Sequence, residues 1–463
     1  MSIKTPNTKI NLINNRIKYG TDGGINVDSN TLFVNATTGR VGINTTTPNT
    51  LLDISGSIKS SGIADYSNST GNNTQILTKA NGQNLWSYPG YNYSTGDMFP
   101  ENEVDLSGVN YLDSNLNKFF GGVLAPNGKI YMIPSSANHV LILNPYTNEV
   151  DLSSIIITNP GSGWFGGVLA PNGKIYCVPA NSSQILVIDT NDNSYYYISG
   201  ITNANYPTIA ADIQKWGGGV LASNGKIYCI PYFSEAVMII DTQDDSINLT
   251  DISGLNNINY PNLLWKTGAR ESFFGGVLGP DGKIYCMPNS AYGVMVINPE
   301  DNSIDVSSYL YVNAFPSSIR INGQRFGYWG GCLAQDGNIY SAPWNFNRIL
   351  KIDLSNQYLT IVTPDISLST NQNYWIGTVC SLNGKLYGIP SSFNKVLLID
   401  PITNTANATS ISTGSETRKN NGAVLSPNGK IYCVPRDSSI IATIKTGIPK
   451  LQPWMIAPEF NKF

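Results

Sequence analysis

One pattern recurs seven times between residue 119 and the C-terminus, and a chain built on such a repeat has few ways to fold. Its best copies read FFGGVLAPNGKIYMIP from Phe119, WFGGVLAPNGKIYCVP from Trp164, WGGGVLASNGKIYCIP from Trp216 and FFGGVLGPDGKIYCMP from Phe273. Three more diverge: WGGCLAQDGNIYSAP from Trp329, WIGTVCSLNGKLYGIP from Trp375 and NNGAVLSPNGKIYCVP from Asn420. A turn glycine marks every copy, at Gly128, Gly173, Gly225, Gly282, Gly337, Gly384 and Gly429, so the period runs from 45 to 57 residues.

Inside each copy an apolar run meets Asn-Gly or Asp-Gly, the strongest short-range hairpin signal, and a second apolar run follows. A third run, such as 140–143 or 396–399, ends in Asp or Asn and a turn; a fourth, such as 150–153, is more polar and alternates. Four antiparallel strands per repeat, the inner three apolar on both faces, describe a propeller blade packed between two neighbours. The expected fold class is all-β: a seven-bladed β-propeller. A solenoid of this period would need polar caps at both ends, whereas a ring removes the ends.

The sequence also carries a closure device. Asn102-Glu103-Val104-Asp105-Leu106-Ser107 copies the fourth strand Asn148-Glu149-Val150-Asp151-Leu152-Ser153, yet no first three strands precede it. The last repeat, conversely, runs into Lys445-Thr446-Gly447-Ile448-Pro449 where its fourth strand should be. The N-terminal strand is expected to complete the last blade and protect both edges.

Residues that recur once per blade read as scaffold, because a group needed seven times is rarely a catalyst. Tyr131 and its equivalents belong here, as do the paired glycines and the strand-ending prolines such as Pro134, which give up one ladder hydrogen bond. Lys129 and its equivalents read as a solvated ring beside the hairpin turns. Cys177, Cys229, Cys286 and Cys433 each follow Tyr in the motif, so they occupy equivalent places too far apart to bridge. They read as small buried hydrophobes.

The connections from each fourth strand to the next blade carry the variation, and long surface loops on a rigid scaffold are where binding usually resides. Three of them lead into repeats three, four and five and hold Tyr206, Tyr260, Trp265, Arg270, Tyr311, Arg320, Arg325 and Tyr328. Loops between strands two and three add Tyr232, Phe233, Trp344, Asn345 and Phe346 on the same face. Aromatic planes mixed with Asn and Arg offer stacking area and directional hydrogen bonds, as a glycan or a protein epitope requires. These thirteen are the candidate ligand-binding residues.

Catalytic constellations are sparse. His139 is the sole histidine, so neither a catalytic triad nor a multi-histidine metal site can be assembled. Asp189, Asp241, Asp353 and Asp400 share one blade position before a turn, which marks them as turn residues. The run Asp189-Thr190-Asn191-Asp192-Asn193 lacks the spaced ligands and distal Glu of an EF-hand. No catalytic residue, metal ligand or cofactor is expected. A net charge of −3 with 13% charged residues excludes a basic track for nucleic acid. Residues 1–10 have no apolar signal core, and no apolar run reaches the length of a membrane helix, so synthesis in cytosol without membrane insertion is expected.

Residues 1–95 are of another kind: short alternating strands between Gly, Asn, Thr and Pro, with too few apolar residues for a core of their own. The stretch LFVNATTGRVGINTTTPNTLLDISGSIKSSG, residues 32–62, resembles the VGIGTTxPxxxLDVxGxI motif of phage tail fibres and related fibre proteins. NTQILTKANGQNLWSY, residues 73–88, resembles their GQVLTxxGxGxxxW element. The GGVLAPNGKIYCVP repeat is similar to repeats in proteins of giant DNA viruses of protists. The resemblance implies a fibre-shaft-like segment at 1–95 that forms a homotrimer attached to a virion, a propeller at 96–450 and a tail at 451–463. The expected function is then a non-enzymatic virion-surface protein whose head binds a host glycan or protein. Two alternatives stay open: a carbohydrate-active propeller enzyme, lyase or hydrolase, with carboxylates or tyrosines in the channel mouth, and a purely structural capsid component.

Overall fold

A computed structural model describes residues 118–157, 163–201, 214–251, 272–291, 293–310, 327–362, 373–408 and 419–446, together with Glu103–Asn110 and seven short strands between residues 17 and 87. The chain divides into two compact units, Met1–Ser94 and Thr95–Phe463. In the first, five strands from Ile17–Tyr19 to Leu52–Ile54 form one sheet in sequence order, and Ile76–Ala80 pairs with Gln83–Ser87 as a separate hairpin. Most of residues 1–95, on which the trimerisation expectation falls, and all of the tail 451–463 lie outside the described residues.

The second unit is a seven-bladed propeller of four-stranded antiparallel sheets. Blade 2 shows the pattern: Trp164–Leu169, Lys174–Pro179, Ile185–Asp189 and Tyr195–Ile198 pair in chain order, as a meander. The first strands of consecutive blades are neighbours all the way round, and that of blade 7, Asn420–Leu425, lies beside that of blade 1, Phe119–Leu124. Among the described residues the core is divided between the blades. Apolar residues pack seam by seam, as Val123, Tyr131 and Ile133 of blade 1 do with Ile175, Cys177 and Leu186 of blade 2.

In the seventh sheet Glu103–Asn110 runs antiparallel to Ile440–Lys445, with Val104 opposite Ile444 and Val109 opposite Ile441. The fourth strand of blade 1 is shorter than its sequence suggests, only Val150–Asp151. The Asp151 carboxylate accepts from the backbone N–H groups of Ser153 and Ser154 at 2.8 and 3.0 Å, which bends the chain out of the ladder. Burial opposes ionisation of Asp151, but these bonds and those from the two serine hydroxyls outweigh it and hold its pKa at about 2.

The glycine pair of the repeat has two separate jobs. Trp164 pairs with Pro179 and Gly167 with Cys177, so the first strand spends three steps where the second spends two. This is a β-bulge, and the first glycine of the pair sits at its centre with positive φ: 66° at Gly121, 80° at Gly166 and Gly218, 72° at Gly275. The second glycine is crowded by the preceding blade: a Cβ on Gly219 would come within 3.0 Å of Val178.

Two rings of hydrogen bonds tie the blades together. On the hairpin face the turn asparagine reaches forward: Asn127 Nδ2 donates to Thr190 O at 2.7 Å, Asn172 to Thr242 O at 3.0 Å and Asn224 to Pro299 O at 2.9 Å. The repeat tyrosine joins in, as where Tyr131 donates to Asn193 Oδ1 at 2.7 Å. Asn428 to Pro145 O, 3.0 Å, carries the ring from blade 7 back to blade 1. On the opposite face the link is backbone to backbone: Lys215 N to Ala180 O, Ser272 N to Tyr232 O, Gly327 N to Asn289 O, Tyr374 N to Trp344 O, Lys419 N to Ser391 O and Lys118 N to Arg436 O, at 2.7 to 3.1 Å.

Candidate functional site at the propeller axis

The bulge decides what fills the axis. It turns the first two side chains of each inner strand in different directions. The first of them, Trp164, Trp216, Tyr328 or Trp375, is buried at 0–1% exposure in the wall of its blade and donates to the carbonyl twenty residues on, at 2.7 to 2.9 Å. The second points to the axis, where Phe120 of blade 1, Phe165 of blade 2, Phe274 of blade 4 and Trp329 of blade 5 meet. Phe120 lies 4.5 Å from Phe165 between ring centres, 5.4 Å from Phe274 and 5.9 Å from Trp329. Contact between blades that are not neighbours means that these rings close the centre. Blade 3 contributes Gly217, whose absent Cβ makes room for the Phe274 ring, 2.5 Å from where that carbon would be.

The loops between strands two and three extend this cluster. Trp329 is sandwiched between Phe274, 4.2 Å away at 12°, and Trp344, 4.5 Å away at 15°. Tyr232 stands edge-on to Phe274 at 5.1 Å and to Phe233 at 4.9 Å. Phe233 and Trp329 are only partly buried. Around this stack, Trp329 Nε1, Asn345 Oδ1 and Asn421 Oδ1 are buried without a hydrogen-bond partner. Asn421 is 2% exposed, at the axial position of blade 7, and its amide nitrogen is used on Phe119 O. A buried donor or acceptor left unpaired costs about 1–3 kcal/mol, so these atoms mark a place where a polar group would be welcome.

Of the thirteen candidate residues, the structure thus brings Tyr232, Phe233 and Trp344 together at the axis, with Asn345 beside them. Tyr328 and Phe346 pack edge-on to one another at 6.3 Å in the wall between blades 4 and 5, and the Tyr328 hydroxyl is taken by Arg348 O. Tyr206, Tyr260, Trp265, Arg270, Tyr311, Arg320 and Arg325 lie outside the described residues. Phe120, Phe165, Phe274 and Trp329 are not among the thirteen candidates and were given no role from the sequence. The available signal was a second aromatic directly before the glycine pair.

Other reactive groups are walled off. His139 is 8% exposed and edge-on to Phe119 at 5.5 Å, in a different cluster from the axial rings. Among the described residues no three His, Cys, Asp or Glu side chains gather as a metal site. All six cysteines are free, and only Cys332 is less than fully buried. Burial pushes every thiol up, Cys380 and Cys433 to about 12, so the nucleophilic thiolate is scarce at neutral pH. Native protein treated with a maleimide at pH 8 is therefore expected to take up at most one label, at Cys332, and denatured protein six, as read by intact mass.

No protein-family model matches the chain, and no curated protein matches it by sequence. Solved structures do match. A streptogramin B lyase aligns at 13% identity and a TM-score of 0.56, over 73% of this chain and 97% of its own. A catalytically inactive histidine-to-alanine variant of virginiamycin B lyase from Staphylococcus aureus, with quinupristin, aligns at 14% identity and 0.55, over 73% and 98%. The extracellular domain of a hybrid two component system from B. thetaiotaomicron aligns at 11% and 0.50, over 93% and 57%.

These matches correct the fibre reading. The propeller's counterparts are B lyases and the extracellular domain of a two component system, so the identity as a viral or phage fibre protein, the virion-surface function and the absence of enzymatic activity are all withdrawn. The fibre motif is short and lies in the first unit, apart from the repeats, and it says nothing about the chemistry of the propeller. At these identities the likeness shows the fold alone.

Proposed function

We propose that the propeller is the body of a lyase-type enzyme acting on a polar ring-bearing substrate, a glycan or a cyclic peptide-like molecule, held on the face where the inner strands begin. The observation that carries this reading is the axial stack Phe274–Trp329–Trp344 with Trp329 Nε1, Asn345 Oδ1 and Asn421 Oδ1 unpaired around it. Stacked rings offer a flat apolar surface, and the unpaired atoms offer one donor and two acceptors to a hydroxyl or amide. The shared fold with lyases supports the reaction class.

In such a reaction a base takes the proton from the carbon next to a carbonyl. The bond from the neighbouring carbon to oxygen then breaks, the electron pair leaves with that oxygen, which is protonated, and a double bond remains. His139 is walled off from the axial rings, so in this reading the base is a tyrosine or a carboxylate at the channel mouth. Closure of the ring by Glu103–Asn110 acting as a latch, with Met1–Ser94 as a separate unit, belongs to the same proposal.

The test is incubation of the full chain with quinupristin and, separately, with a polyuronate. Elimination opens a cyclic substrate without change of mass, or gives a polymer new ends with a conjugated double bond that absorbs in the ultraviolet; hydrolysis adds water and gives no double bond. Elimination products are expected from one of the two. Trp329→Ala should reduce the rate on the order of 100-fold through a displaced substrate. Intact substrate in both incubations across pH 5–9 would sink the proposal.

A further inference from the structure

We infer that Cys332 of blade 5 and Cys380 of blade 6 are a site of reversible covalent modification: a disulfide that staples the two blades when the protein meets a disulfide oxidant. What marks the place is a contact that the other six seams make in one way and this seam makes in another. In those six, the valine of one first strand shares a cluster with the leucine that ends the first strand of the next blade, as Val123 does with Leu169, Val220 with Leu278 and Val424 with Leu124. At the seam between blades 5 and 6 the same two positions are Cys332 and Cys380, and they too share a cluster. Both partners of a single contact have become thiols.

The backbone aims both side chains into this seam. Cys332 stands opposite Tyr340 in its ladder, and cross-strand partners project from the same side of a sheet. Tyr340 is clustered there with Trp375 and Leu386 of blade 6. From the other side, Thr378 reaches blade 5, where its hydroxyl oxygen accepts from Ala342 N at 2.8 Å. Cys380 lies two residues further along the strand, past the bulge and in regular register opposite Leu386, so it projects to the same side as Thr378. Burial raises the Cys332 thiol, and the neighbouring Cys380 raises it further. Cys177, Cys229, Cys286 and Cys433, by contrast, lie one to a cluster.

Cys332 is the one cysteine that is not fully buried, so it meets the oxidant first. Its thiolate attacks a small disulfide, one thiolate of the reagent leaves, and a mixed disulfide forms. The Cys380 thiol then gives up its proton and attacks the Cys332 sulfur, which breaks the mixed bond and releases the second thiolate. The protein loses two hydrogens, and the reagent is reduced to two thiols. Because burial opposes both thiolates, the exchange is slow at neutral pH and quickens as the pH rises. The bond joins positions 48 apart in sequence, a span that restricts the unfolded chain substantially. The site lies in the wall between two blades and is independent of the lyase reading.

The test is to hold the folded full chain in oxidised glutathione at pH 8, then denature it in maleimide and read the intact mass. Four labels are expected in place of six. A tryptic digest should give one cross-linked pair of peptides, since Arg348 and Lys351 separate the two cysteines. The melting temperature should rise by about 3–6 °C and return when dithiothreitol is added. Cys332→Val and Cys380→Leu each copy the other seams, so both should fold, and neither should form a protein disulfide. Six labels after oxidation overturn the inference. So does a cross-link between any other pair, or a glutathione adduct that stays on Cys332 without passing to Cys380.

Discussion

A chain beginning at residue 117 is expected to lose the cooperative thermal unfolding that a chain beginning at residue 100 retains. The difference between the two includes Glu103–Asn110, the strand paired with Ile440–Lys445. Without it, the outer ladder edge of blade 7 loses its partner, and Ile441 and Ile444, both at 0% exposure, lose the strand opposite them. An eight-residue strand contributes ladder hydrogen bonds of about 1 kcal/mol each and the burial of Val104 and Val109. The sum is comparable with the whole net stability of a typical domain, on the order of 5–15 kcal/mol. Differential scanning calorimetry of the two chains decides the matter. Equal midpoints and enthalpies would show that the ring closes without the strand.

The second large effect is expected at Phe274. Its ring is 1% exposed and touches Phe120, Phe165, Tyr232 and Trp329, so truncation removes one wall of the axial cluster and strips one face of the Trp329 sandwich. Phe274→Ala should cost about 3–5 kcal/mol and lower the melting temperature by roughly 5–10 °C. Gly217 has no side chain to fill the space, because its neighbourhood is shaped to the Phe274 ring itself. A loss below about 1 kcal/mol in urea unfolding would mean that the axial rings are not close-packed and that the centre is open.

The blades were legible because their signals are local. Asn-Gly at residues 127–128 or 172–173 dictates a tight hairpin, and the apolar runs on either side dictate two strands buried on both faces. The axial site was not legible, because period-two alternation would send Phe120 and Gly122 to the same side of the strand. The bulge breaks that alternation, and only its φ values, such as 66° at Gly121, reveal it. The fibre expectation failed differently: residues 32–62 carried a motif of one unit into a conclusion about another.

The two rings of inter-blade hydrogen bonds divide the molecule into a constrained side and a free one. On the hairpin side five joints are made by the side-chain amide of a turn asparagine, such as Asn127 on Thr190 O and Asn224 on Pro299 O, so each depends on one residue type at one position. On the other side the joint runs from one main-chain N–H to one main-chain carbonyl, and it holds whether the donor residue is Lys118, Ser272, Gly327 or Tyr374. Any amino acid except proline can supply that N–H. As far as these joints are concerned, the residues that supply them can therefore be exchanged one by one without loosening the wheel, so long as the packed axial rings are kept.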